Sequence, residues 1–186
     1  IYEGGAYLAG ADVRFLNSVR QNDFVFDYAD LTDEEWRRVQ LLIVCSPANP
    51  TGKVLDLDDW KQLFELSDRY GFIIASDECN SESYFDEGQP PVGGLQAAKR
   101  LGRSIARIIM LSSLSKRSNV PGMRSGFVAG DRASRGLQNR ETLACVATGH
   151  AHDIGDGFVR GFDLVPETAV ISQRALHQFG ELIRLQ

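Results

Sequence analysis

A lysine that follows an apolar run and sits among small hydroxyl residues is placed to do carbonyl chemistry. Residues 111–130, LSSLSKRSNVPGMRSGFVAG, put Lys116 in that setting. In a partly desolvated pocket a lysine amine gives up its proton more readily and attacks a carbonyl carbon to form a Schiff base. Ser113 and Ser115 precede it closely, and Arg124 follows after a Pro-Gly turn. Hydroxyls and a guanidinium so placed would hold a phosphate. Read one at a time, these residues have plainer explanations. Lys116 is a solvated surface lysine and the serines are turn formers. Asp77 and Asn49 also stand just beyond apolar runs, and alone they read as a helix cap and a turn residue.

The elements that must position these residues follow a strand and helix rhythm. Val13–Leu16 is expected to be a short strand. Over residues 27–39, Thr32 and Glu35 are spaced as a capping box ahead of Trp36. The apolar run LLIVC between Gln40 and Ser46 predicts a buried strand that stops at Pro47, and Pro50 and Gly52 keep the following segment irregular. Leu57, Trp60, Leu63, Phe64 and Leu66 predict a helix over Leu57–Tyr70, ended by Gly71. Phe72–Ala75 and Ile105–Leu111 predict two more short strands. Short apolar strands alternating with helices imply an α/β domain built on a largely parallel sheet, whose ligands gather beyond the carboxyl ends of the strands. Asn49, Asp77 and Ser113–Lys116 all fall at such ends. Beyond Asp131 the periodicity weakens, and only Glu167–Leu185 again predicts a helix. No internal repeat is evident.

Composition excludes several classes. The 186 residues suffice for one domain with a hydrophobic core, and a net charge of −5 argues against nucleic-acid or anionic-membrane partners. No apolar run is long enough to span a bilayer. The opening IYEGGAYLAGADV has no signal-peptide pattern, and without an initiating Met the chain is expected to begin partway through a longer protein. Cys45, Cys79 and Cys145 are odd in number and widely spaced, which fits reduced thiols in the cytoplasm. Cys45 and Cys79 are expected to be small buried hydrophobes. His150 and His152 have no third ligand nearby, so no metal site is expected.

Taken together, the motifs are specific. Ser-x-Ser-Lys followed by Pro-Gly-x-Arg-x-Gly resembles the signature of the fold-type I, class I/II aminotransferases, which depend on pyridoxal phosphate. Asn49-Pro50-Thr51-Gly52 and Ser76-Asp77-Glu78 resemble two further motifs of that family, in the family's order. The wording of SLSKRSNVPGMRSGFVAGD, with SDEC and YFDE, resembles the bacterial succinyldiaminopimelate aminotransferases of lysine biosynthesis. The resemblance implies a three-layer α/β/α fold with a mostly parallel sheet. Lys116 would carry the cofactor and shuttle the substrate's proton. Asp77 would pair with the protonated ring nitrogen, Asn49 would bond the ring oxygen, and Ser113, Ser115 and Arg124 would bind the phosphate. Pro50 would follow a cis peptide bond. It further implies an amino acid and a 2-oxo acid as substrates, and a homodimer.

The chain also departs from the family pattern. Asn80 stands where the family has a tyrosine that supports the ring oxygen, so weaker cofactor retention and a raised Schiff-base pKa are expected, worth about one hydrogen bond, ~0.5–1.5 kcal/mol. Ser83 replaces a usual aliphatic residue. The family's Gly-rich phosphate turn, stacking aromatic and C-terminal small domain have no counterpart here. Residues 1–131 therefore read as a partial, incomplete cofactor-binding large domain. Residues 132–186 read as a divergent tail, frame-shifted near residue 131 or disordered, with a C-terminal helix. The competing reading is a catalytically incompetent fragment that keeps the fold and weak cofactor affinity.

Overall fold

The computed structural model describes residues 2–8, 10–130 and 168–169. Helix α1 (Tyr2–Leu8) opens the chain, and α2 (Asp33–Arg38) precedes strand β1 (Leu41–Cys45). Helix α3 (Leu57–Tyr70) leads to β2 (Ile73–Asp77), and α4 (Gly94–Arg100) to β3 (Ile108–Ser113). The four-residue helix α5 (Leu114–Arg117) then precedes β4 (Gly126–Gly130), and β5 (Thr168–Ala169) closes the set.

The sheet order is β1-β2-β3-β4-β5. The first three strands run parallel, as the βαβ rhythm requires. β4 and β5 are antiparallel additions, so the sheet has a parallel core and an antiparallel side. β4 returns antiparallel to β3 after α5 and a 3-10 turn over Pro121–Met123. Its glycines fit the close pairing: a Cβ on Gly126 would stand 2.6 Å from the Ser112 carbonyl oxygen, and one on Gly130 2.3 Å from that of Ile108.

Side chains alternate between the two faces of the sheet. Leu42, Val44, Ile74, Ser76 and Ile108 share one face by register. That face packs against Trp36 of α2, Trp60, Leu63 and Phe64 of α3, and Ala97 and Ala98 of α4, which together form the core. Cys45, Asp77, Leu111 and Ser113 lie on the opposite face, and there Ala75 and Ile109 are also buried. The strand period therefore puts the helix-packed core and the polar strand-end side chains on different faces.

Helix α3 has the predicted bounds. Its N-cap Asp56 accepts from the Asp58 and Asp59 amides at 2.8 and 2.9 Å, while Asp59 accepts from the Asp56 amide at 3.0 Å. Gly71 ends it in the left-handed conformation at φ 85°, its N–H bonded to the Ser67 carbonyl. The Thr32–Glu35 capping box of α2 also forms.

Other expectations need correction. Val13–Leu16 is not a strand: no described strand pairs with it, and Arg14 extends to Glu35 at 3.5 Å. The strand expected at Ile105 starts at Ile108, because Arg107 has φ 59° and the Ile108 N–H turns back to the Ile105 carbonyl. The strand expected at Phe72 starts one residue later, since the Phe72 carbonyl accepts from the Ser67 hydroxyl at 2.6 Å. Thr168–Ala169, placed in the predicted C-terminal helix, are a strand paired with β4, where the backbone partner outweighs a helical pattern. The rest of that helix, the proposed frame change, Cys145, His150 and His152 lie outside the described residues. Among the described residues no helix is long and apolar enough to cross a membrane, and no three metal-ligating side chains cluster.

Candidate active site

Each polar group of the site comes from a strand end. β1 and β2 end together, with Cys45 beside Asp77, and the Ser46 N–H donates to the Asp77 carbonyl at 3.1 Å. Leu111 of β3 lies opposite Asp77, and its carbonyl accepts from the Glu78 N–H at 2.8 Å. Three adjacent strands thus deliver the Asn49 loop, Asp77 and the Ser113–Lys116 turn to the same edge. Asp77, Leu111 and Ser113 share a face, because Ser113 follows Leu111 by one full strand period.

The Asp77 carboxylate is held from two directions. The Cys79 N–H donates to Oδ1 at 3.0 Å, and the Tyr2 hydroxyl donates to Oδ2 across 75 residues of sequence. Asp77 is therefore not a helix cap; it closes an Asx turn and faces the site. Tyr2 is the site residue that sequence reasoning missed. Two glycines, Gly4 and Gly5, hid the helix that carries it. The legible signal was its stop: Gly10 lies at φ 74°, with Gly10 N–H bonded to Tyr7 and Ala11 N–H to Ala6, a Schellman ending.

Ser113 caps α5. The Ser115 N–H donates to its hydroxyl at 3.0 Å, and that hydroxyl lies 2.8 Å from the Ser115 hydroxyl. The Leu114 N–H donates to the Ser125 carbonyl, tying the turn to the start of β4. Arg124 enters that strand in the left-handed conformation at φ 48°, unusual for a residue other than glycine. Its guanidinium turns back 3.4 Å from the Pro121 carbonyl. Lys116 is exposed on α5 rather than desolvated, since the described elements leave the outer side of α5 open. Arg117 beside it meets Glu82 at 3.5 Å on the surface.

Asn49 precedes one of two cis peptide bonds, Asn49–Pro50; the other is Ser46–Pro47. Asn80 does not point freely into the site: its amide donates to the Pro47 carbonyl at 3.2 Å, bracing the loop that carries Asn49. Cys45 and Cys79 are half-buried rather than buried. Burial raises the Cys45 thiol pKa, and the Asp77 charge adds to it, against opposing hydrogen bonds from the Asn49 backbone, Tyr2 and Asn80. Burial, then Asp77, pushes Cys79 up to about 12. Both thiols therefore stay protonated and poorly nucleophilic near neutrality. Tyr2 is likewise raised, first by burial and then by its bond to Asp77, so its phenol remains a donor.

The donor set fits pyridoxal phosphate. A carboxylate suits a protonated ring nitrogen, a primary amine suits the aldehyde, and hydroxyls with a guanidinium suit the phosphate.

Comparison with known proteins agrees with that chemistry. The family model for aminotransferase class I and II matches residues 1–167. LL-diaminopimelate aminotransferase of Nitratidesulfovibrio vulgaris (strain DP4) is 30% identical over 131 residues, covering 70% of this chain and 33% of that protein. The crystal structure of an aminotransferase from Neisseria meningitidis Z2491 superposes with a TM-score of 0.68 at 56% identity, covering 72% of this chain and 33% of its own. A probable N-succinyldiaminopimelate aminotransferase from Thermus thermophilus gives a TM-score of 0.58 at 28% identity, covering 72% and 34%. The chain spans about a third of the length of these relatives. It belongs to the class I and II aminotransferase family.

Proposed function

We propose that this chain is the cofactor-binding part of a pyridoxal-phosphate-dependent aminotransferase that passes an amino group from an amino acid to a 2-oxo acid. The observation that carries the reading is the convergence of Asp77, the Asn49 loop and Ser113–Lys116 at the carboxyl ends of three adjacent strands. When bound, the cofactor supplies an electron-withdrawing ring that stabilises negative charge at the substrate Cα. Lys116 holds the cofactor through its amine and, once freed, moves the proton away from that Cα. Asp77 pairs with the ring nitrogen and keeps it protonated. Ser113, Ser115 and Arg124 would anchor the phosphate, and Asn49 would bond the ring oxygen. Asn80, engaged with Pro47, contributes through that loop.

The names of the relatives favour a diaminopimelate derivative as amino donor, and we take N-succinyldiaminopimelate with 2-oxoglutarate, in lysine biosynthesis, as the substrate pair. A homodimer in the cytoplasm completes the reading, from the family pattern and the reduced thiols. Incubation with pyridoxal phosphate, borohydride reduction and peptide mapping test it. The expected label is on Lys116, and Lys116→Ala should abolish it. Label elsewhere, or none, overturns the assignment. The exposure of Lys116 favours a second reading, in which the chain binds cofactor weakly and turns nothing over. Label at Lys116 without amino transfer to 2-oxoglutarate selects it.

A further inference from the structure

We propose that Tyr2 is a positioning residue for Asp77, setting the carboxylate for the cofactor ring. The inference rests on the reading that the cofactor binds at Lys116. Asp77 sits at the last position of β2, where the ladder fixes its backbone but leaves its side chain to rotate. Two donors remove that freedom. The Cys79 amide holds Oδ1, and the Tyr2 hydroxyl holds Oδ2. One donor comes from the turn that follows the strand and the other from α1, so the carboxylate plane is defined from two separate elements. A carboxylate offers about four lone-pair positions, so one donor on each oxygen leaves a further position for a ring N–H. A bond from Tyr2 to this carboxylate fixes its orientation before the cofactor arrives. The reorganisation needed on binding is reduced. Tyr2 touches no reacting atom in this arrangement; it acts through Asp77.

The Cys79 thiol also bonds Asp77, but from the same turn as the Cys79 amide, and the remaining groups near Tyr2 do not take this role. Asn80 is bonded to Pro47, and Glu78 accepts from Ser76 and Gly94 on the far side of β2. The Cys45 thiol donates to the Pro47 carbonyl at 3.4 Å.

The test compares the full chain with Tyr2→Phe, Asp77→Asn and the double variant. Tyr2 is 39% exposed, so loss of one hydroxyl should leave the urea midpoint nearly unchanged. Titration with pyridoxal phosphate, followed by visible absorbance, should show about tenfold weaker binding in Tyr2→Phe, the size of a lost charge-assisted hydrogen bond. The pH midpoint of the bound cofactor's absorbance should move as well. In the Asp77→Asn background the same Tyr2→Phe change should have little further effect, since the two act as one unit. Without cofactor, the Tyr2 phenol, followed by carbon NMR, should ionise at lower pH in Asp77→Asn than in wild type. Equal affinity and an equal midpoint in Tyr2→Phe, with wild type labelled at Lys116, overturn the role of Tyr2 alone. An unlabelled wild type overturns both this proposal and the cofactor reading.

Discussion

At the residue scale, two adjacent carboxylates at the end of β2 lie in different surroundings. Glu78, next to Asp77, is a largely buried carboxylate. Its Oε1 accepts from the Ser76 hydroxyl at 2.8 Å and from the Gly94 N–H at 2.9 Å, and a Cβ on Gly93 would stand 2.1 Å from Oε2. Burial raises its pKa, the neighbouring Asp77 charge adds to that, and the two hydrogen bonds oppose it. A glutamate whose folded pKa is raised favours folding in its protonated form. That contribution is full below the unfolded value and is lost as pH rises through the folded one. Near neutrality Glu78 is therefore a costly carboxylate. Glu78→Gln keeps an oxygen for both donors without the charge. It should match or exceed wild type in urea midpoint at about pH 8, and lose that advantage by about pH 4. A variant less stable than wild type at both values would show that the charge is needed. The residue pattern located Asp77, Asn49, Ser113 and Lys116 at strand ends, because each follows a short apolar run. It did not reveal that Asn80 braces Pro47 or that Glu78 clamps the start of α4. Those contacts join segments 33 and 16 residues apart, and no local spacing encodes them.

At the element scale, α3 is held by both its ends and its buried stripe. Trp60, Leu63 and Phe64 are almost fully buried, and the Trp60 indole donates to the Val92 carbonyl at 2.9 Å. The N-cap contributes separately. Asp56→Ala removes the acceptor for two orphan amides and should cost about 1 kcal/mol in urea unfolding, with faster amide exchange confined to the first turn of α3. A cost near zero would mean that the packed stripe alone sets the helix start. This element was legible because apolar period and terminal glycine agree. Helices α1 and α4 were not. Each has seven residues, too few for a period to stand out, and α1 contains two glycines.

At the scale of the whole molecule, one aromatic cluster ties the early loops to the sheet. The Trp36 ring stacks on Tyr70 at 5.9 Å and on Phe72 at 5.5 Å, lies 6.4 Å from Tyr28, and its indole donates to the Tyr28 carbonyl. Trp36→Ala should destabilise the chain by about 3–5 kcal/mol, because the cavity opens between α2, the end of α3 and the start of β2. A urea midpoint within error of wild type would show that the cluster is not part of the cooperative unit. The amino-acid sequence by itself determined the α/β class, the bounds of α3, the placing of β1 to β3 within a few residues, and the polar groups at their ends. Hydrophobic period and turn residues are local and survive in one dimension. Only the tertiary structure decided that β4 and β5 join antiparallel, that Tyr2 reaches Asp77, and that the helix-packed core and the Asp77 and Ser113 side chains take opposite faces of the sheet. Those facts rest on strand order and register, which arise when distant segments pair and which no stretch of sequence carries alone.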